Sequence, residues 1–162
     1  TPLQMVSAYA TIGNGGVRVT PRLVEKGGSK RIRGPRATQI VSKHTADRMM
    51  SMFRDVVLEG TGAEAAIPGY TVAGKTGTAE KAENGRYVKK YVASFVGLVP
   101  AKKPRLAILV MVDEPRGNIY GGVVAAPAFR DISRFALQYL EVPPDAPESK
   151  TSLTAAAGPS NQ

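Results

Sequence analysis

Cysteine is absent from the 162 residues, and histidine occurs once, as His44. The first absence excludes disulfides and cysteine-ligated metal sites, and the second excludes a histidine cluster, so no metal or other cofactor is expected. Missing cysteine suits an oxidising exterior and a reducing cytosol equally. No run of eighteen apolar residues and no signal-peptide pattern occurs, so this stretch is not expected to cross a membrane itself. Acidic residues are scarce: 13 Asp plus Glu face 22 Lys plus Arg, a net charge of +9. Such an excess invites a nucleic-acid reading. The basic residues are scattered, however, among three loops at 26–36, 81–90 and 102–105, and no RNA-binding aromatic motif, zinc spacing or basic recognition helix accompanies them. A solvated surface, or one facing anionic head groups or acidic polymers, is the favoured reading, with a basic binding module as the alternative.

Hydrophobic residues make up 43% of the chain, enough to bury the core of one domain. Thr1-Pro2-Leu3-Gln4 reads as a capping box opening a helix of about ten residues; Gly13 to Gly16 ends it. Val17 to Val24 and Lys30 to Arg33 read as a strand pair that Pro21 and Pro35 confine to an edge. Ala46, Met49, Met50, Phe53, Val56 and Val57 predict the next helix, with Ser42 or Thr45 as cap, Gly60 just past its end, and His44 in a polar surface role near the cap. Strands are expected at about Tyr70 to Ala79, Val92 to Val99 and Arg105 to Asp113. The unbroken apolar run from Leu106 to Val112 suits a central strand covered on both faces. The polar segment Glu80 to Tyr91, with Asn84-Gly85, reads as a mobile loop bordering a cleft. A last helix starting near Pro127 is expected to bury Phe129, Ile132, Phe135, Ala136, Tyr139 and Leu140. Residues 145–162 have the composition of a disordered tail. The fold class is therefore α+β, an antiparallel sheet covered by helices.

Lys75-Thr76-Gly77-Thr78 concentrates the chemistry. A lysine on a strand at a sheet edge offers charge to a carboxylate. Threonine hydroxyls and a backbone N–H can hold a carboxylate and a developing oxyanion. Around this stretch, Pro2 to Ala10, Asn14-Gly15-Gly16, Leu58-Glu59-Gly60-Thr61-Gly62, Ala73 to Ala79, Ser94-Phe95-Val96-Gly97 with Pro100, Val112-Asp113-Glu114-Pro115 and Tyr120-Gly121-Gly122 occur in one order. With Lys-Thr-Gly as the third signature motif of penicillin-binding transpeptidases, that order resembles the C-terminal part of a class B penicillin-binding protein transpeptidase domain, the peptidoglycan D,D-transpeptidases of cell division and elongation. The resemblance covers about residues 1–144.

The resemblance implies a serine enzyme that forms an acyl-enzyme from a D-Ala-D-Ala stem peptide, resolves it with an amine from a neighbouring stem, and binds β-lactam antibiotics. Lys75 and Thr78 would be catalytic: Lys75 polarises the serine network and holds the substrate carboxylate, and Thr78 N–H is an oxyanion donor. Thr76, Gly77, Thr78 and Tyr120 would contact substrate, with Gly77 clearing space along the strand. Tyr120 would wall the acceptor side of the cleft; packing at a turn is the other reading. Asp113-Glu114 is a carboxylate pair capable of acid/base work, yet its place at a strand end favours a turn or an ion pair, and Glu80 reads as solvated.

No serine is followed three residues later by lysine, and no Ser-x-Asn occurs. The nucleophile is thus expected upstream, in the other half of the same domain, with a membrane anchor further upstream and the catalytic domain outside the cytoplasmic membrane. Divisome or elongasome proteins are the macromolecular partners implied; nucleic acid is not. A five-stranded sheet would take its remaining strands from upstream sequence, leaving apolar surface and an unpaired edge on this chain. A β-lactamase or D,D-carboxypeptidase of the same superfamily is the alternative enzyme.

Overall fold

In the computed structural model, which describes residues 1–22 and 36–146, the first helix, α1 (Pro2–Gly13), opens with both halves of its capping box formed. Gln4 N–H donates to Thr1 Oγ1 at 3.3 Å, and the Thr1 amine donates to Gln4 Oε1 at 2.8 Å. These bonds satisfy donors that the first turn cannot pair internally. Strands β1 (Val17–Val19) and β2 (Ala37–Gln39) form an antiparallel pair. Among the described residues the first expected strand thus covers Val17–Val19, with Ala37–Gln39 as its partner; the segment 30–33 expected to pair with it lies outside the described residues. Helix α2 (Lys43–Leu58) is capped by Ser42, whose hydroxyl accepts from Thr45 N–H at 3.1 Å. His44 is exposed in its first turn, as expected.

The main sheet is an antiparallel meander of β3 (Ala73–Glu83), β4 (Arg86–Val99) and β5 (Leu106–Asp113), in the order β3-β4-β5. Two expectations change here. Residues 80–91 are not a loop, because β3 and β4 run on to a two-residue turn at Asn84-Gly85, both with positive φ (52° and 76°), the geometry that matches strand twist in tight hairpins. The arm projects past the core and so lacks the apolar alternation that marks a half-buried strand. Its register slips between Glu80 and Lys81, opposite Lys89 and Lys90. The second change is that β5 lies at a sheet edge and β4 is central: among the described residues no strand pairs with the far side of β5. Nor is β5 covered on both faces: its residues are half-buried at most, and Met111 is 48% exposed.

Helices α3 (Gly121–Val124) and α4 (Ala126–Tyr139) complete the fold. The core joins Val57, Val72, Phe95, Val99, Phe129 and Leu137, with Phe95 and Phe129 rings 4.8 Å apart and tilted by 57°. Helix α4 buries Ala126, Phe129, Ser133 and Leu137. Contrary to the expected face, Phe135 is 69% and Tyr139 77% exposed, and Ile132 is exposed too. At about 100° per residue the apolar arc of this helix spans more than half a turn, and only the side containing the small, polar Ser133 meets the sheet. The Ser133 hydroxyl is buried and unbonded. Replacing it with alanine removes an unsatisfied group, so Ser133→Ala should hold or raise stability by up to about 1 kcal/mol, read as the melting temperature of the complete protein.

The C-terminal segment returns to the sheet. Tyr70 Oη donates to Val142 O at 2.6 Å, and the Asp145 carboxylate accepts from Thr71 N–H at 2.6 Å and from the Thr71 hydroxyl. Asp145 and Ala146 N–H both donate to Gly69 O at 3.1 Å. Asp145 is thus a tie to the entrance of β3 and not the start of a loose tail, because its carboxylate satisfies two donors that composition does not reveal.

Candidate active site

Along β3, side chains alternate between the two faces of the sheet. Lys75 and Gly77 lie on one face with their β4 partners Val96 and Ser94; Thr76 and Thr78 lie on the other with Phe95 and Ala93. Among the described residues no strand pairs with the outer side of β3, so half of its backbone hydrogen-bonding groups face outward, free to pair with an extended ligand. Packing fixes the strand from behind. A Cβ at Gly74 would stand 2.5 Å from Phe95 Cζ, so the glycine before Lys75 is required by the aromatic core. At Gly77 a Cβ would stand 2.6 Å from Ser94 Oγ, and the residue's φ lies outside the left-handed region. The restriction at Gly77 is therefore one of space, and part of it comes from β4.

Lys75 is exposed, and its Nζ donates only to its neighbour Thr76, at 3.2 Å to the carbonyl and 3.3 Å to Oγ1. Among the described residues no carboxylate pairs with it. An ammonium without a carboxylate partner, beside the Thr76 hydroxyl at an open edge, is an anion site in the making. Thr76 Oγ1 lies 2.8 Å from Thr61 Oγ1. Thr61 is delivered by the turn after α2, which closes where Gly62 N–H donates to Val56 O at 2.9 Å. On the other side, Thr78 Oγ1 accepts from Gly121 N–H at 3.3 Å. The start of α3 presses against the strand: a Cβ at Gly121 would meet Ser94 O at 2.1 Å and Gly77 O at 2.5 Å, and one at Gly122 would meet Thr61 O at 2.2 Å.

Tyr120 immediately precedes this contact and is 63% exposed; its N–H donates to Asn118 Oδ1 at 2.9 Å. The structure therefore brings Lys75, Thr76, Gly77, Thr78 and Tyr120 into one neighbourhood, with the Tyr120 side chain standing out from the turn. Asp113 and Glu114 belong elsewhere. Both bind Lys81, at 2.7 and 2.8 Å, and these hydrogen bonds, Asp113 first, raise the lysine's pKa above its ordinary value. The pair is an ion-pair anchor for the hairpin arm. Glu80 is exposed and accepts from Tyr91 Oη at 3.2 Å, which pushes the Tyr91 phenol up. Thr61 and the glycines 121 and 122 gain roles that spacing alone does not assign. Their sequence signals are a Gly-Thr-Gly directly after a helix and paired glycines opening another.

Residues 1–134 match the penicillin binding protein transpeptidase domain family. Stage V sporulation protein D of Bacillus subtilis is 39% identical over 153 residues, covering 89% of this chain and 24% of that protein. Peptidoglycan D,D-transpeptidase FtsI of Escherichia coli is 39% identical over 150 residues, covering 90% and 24%. In structure, the apo transpeptidase domain of Burkholderia pseudomallei penicillin-binding protein 3 superposes with a TM-score of 0.78 at 38% identity, over 90% of this chain and 44% of that one. Penicillin-binding protein 3 of Mycobacterium tuberculosis, complexed with ampicillin, gives 0.77 at 36% identity, covering 89% and 36%. The chain thus spans about a quarter of the length of these two curated relatives. It belongs to the penicillin-binding protein transpeptidase family, among the class B members, and carries part of their transpeptidase domain.

Proposed function

We propose that this chain supplies the substrate-holding strand of a peptidoglycan D,D-transpeptidase, an enzyme that cross-links D-Ala-D-Ala stem peptides through a serine acyl-enzyme and is acylated by β-lactams. The observation that carries the proposal is the Lys75 ammonium, which has no carboxylate partner among the described residues and donates to Thr76 Oγ1 on a strand whose outer edge no described strand covers. The stem peptide lies along β3, its terminal carboxylate on Lys75 and the two hydroxyls, its scissile carbonyl near Thr78 N–H, with Gly77 leaving room and Tyr120 walling one side. The serine that attacks the carbonyl comes from sequence beyond these 162 residues, since no Ser-x-x-Lys lies within them. Relatives named peptidoglycan D,D-transpeptidase, FtsI of Escherichia coli among them, favour a transpeptidase over a β-lactamase or carboxypeptidase. By the same likeness the enzyme works outside the cytoplasmic membrane with division or elongation proteins; no helix among the described residues is long and apolar enough to cross a membrane.

The test is covalent labelling. Fluorescent penicillin should label the full-length protein and leave the isolated 162 residues unlabelled on a denaturing gel. A covalent band on the isolated chain would mean that its nucleophile lies here, and an unlabelled full-length protein would remove the transpeptidase assignment.

A further inference from the structure

We infer that Thr61 is a positioning residue that sets the direction of the Thr76 hydroxyl proton, and so makes the site select an anionic ligand group. A threonine hydroxyl has one proton to donate and two lone pairs to accept with. Thr76 Oγ1 already accepts from Lys75 Nζ, which can only donate. Thr61 Oγ1 stands 2.8 Å away, and either oxygen can be the donor. With Thr61 donating, both acceptor positions of Thr76 are filled, and its single proton turns toward whatever lies at the open edge. An anion there fixes this arrangement, because it accepts that proton and faces the ammonium as well. A neutral ester receives neither gain in full. Thr78 is arranged alike: Gly121 N–H fills an acceptor position from behind and leaves the Thr78 proton free. The two hydroxyls flanking Gly77 are held from the rear by donors, one a backbone amide and the other the side chain of Thr61.

The inference rests on the transpeptidase reading, and its experiment separates the two. Second-order acylation rates are measured on the full-length enzyme with benzylpenicillin and with its methyl ester, for the parent, Thr61→Val and Thr61→Ser. The parent should prefer the free acid. Thr61→Val, which keeps shape and loses the hydroxyl, should reduce that preference about ten-fold, through the acid alone, as the loss of one hydrogen bond serving a charged group predicts. Thr61→Ser should restore it. If valine does not fold at this position, Thr61→Ala takes its place in the same comparison. An unchanged acid-to-ester ratio in the hydroxyl-free variant would overturn the role of Thr61, as would an equal fall for acid and ester, which marks a purely structural residue. A parent that no penicillin acylates would remove the transpeptidase reading, and this one with it.

Discussion

Lys75→Ala in the full-length enzyme should slow acylation by benzylpenicillin roughly 100-fold or more, the scale of losing a preorganised electrostatic partner. Its melting temperature should move by no more than about 2 °C. The separation follows from the contacts of the ammonium. It touches only its neighbour Thr76 and is exposed on an edge strand, so folding gains little from it. Its charge has no carboxylate partner among the described residues and is left available to an anionic ligand. Lys75→Arg should not rescue the rate, because a planar guanidinium directs its donors differently from a compact ammonium. Stopped-flow acylation and thermal melts on the same preparations test this; acylation within a few-fold of the parent would dislodge Lys75 from the site.

Gly121→Ala should be the more damaging change to the fold, costing about 1–3 kcal/mol or more, as overpacking does. The added carbon would lie 2.1 Å from Ser94 O and 2.5 Å from Gly77 O. Both are backbone atoms of paired strands, and no rotamer can yield. Relief requires α3 to retreat from β3, which withdraws the Gly121 N–H from Thr78 and should slow acylation as well. Gly77→Ala makes the contrast, since its Cβ would meet the rotatable Ser94 Oγ at 2.6 Å; that variant should melt close to the parent. Melting curves and acylation rates for the pair check both statements. If Gly121→Ala melts with the parent, α3 does not press on the strand as described.

The strand carrying the Lys-Thr-Gly-Thr stretch was legible because its pattern is local. Lys75, Thr76, Gly77 and Thr78 are consecutive, and strand alternation places them without reference to anything distant. The capping box of α1, the Ser42 cap, the three main strands and the opening of α4 are local in the same sense, since each depends on groups within a few residues. The hairpin arm was not legible, because a strand pair that leaves the core keeps its backbone ladder and loses the apolar pattern that reports it. Nor was the buried face of α4: an apolar arc wider than half a turn does not say which part meets the sheet, and the decision fell to Phe95 and to the glycines that make room for its ring and that of Phe129.

Order and composition determined the family, the α+β class and the strand that carries Lys75-Thr76-Gly77-Thr78. Only the tertiary structure decided that β4 is central, that Asp145 ties down the entrance to β3, that Asp113 and Glu114 serve Lys81, and that Thr61 and Gly121 stand behind the two hydroxyls. Those contacts join residues 15 to 74 positions apart. Such pairs carry no periodicity in the sequence, and they exist only where the strands bring backbones within hydrogen-bonding reach.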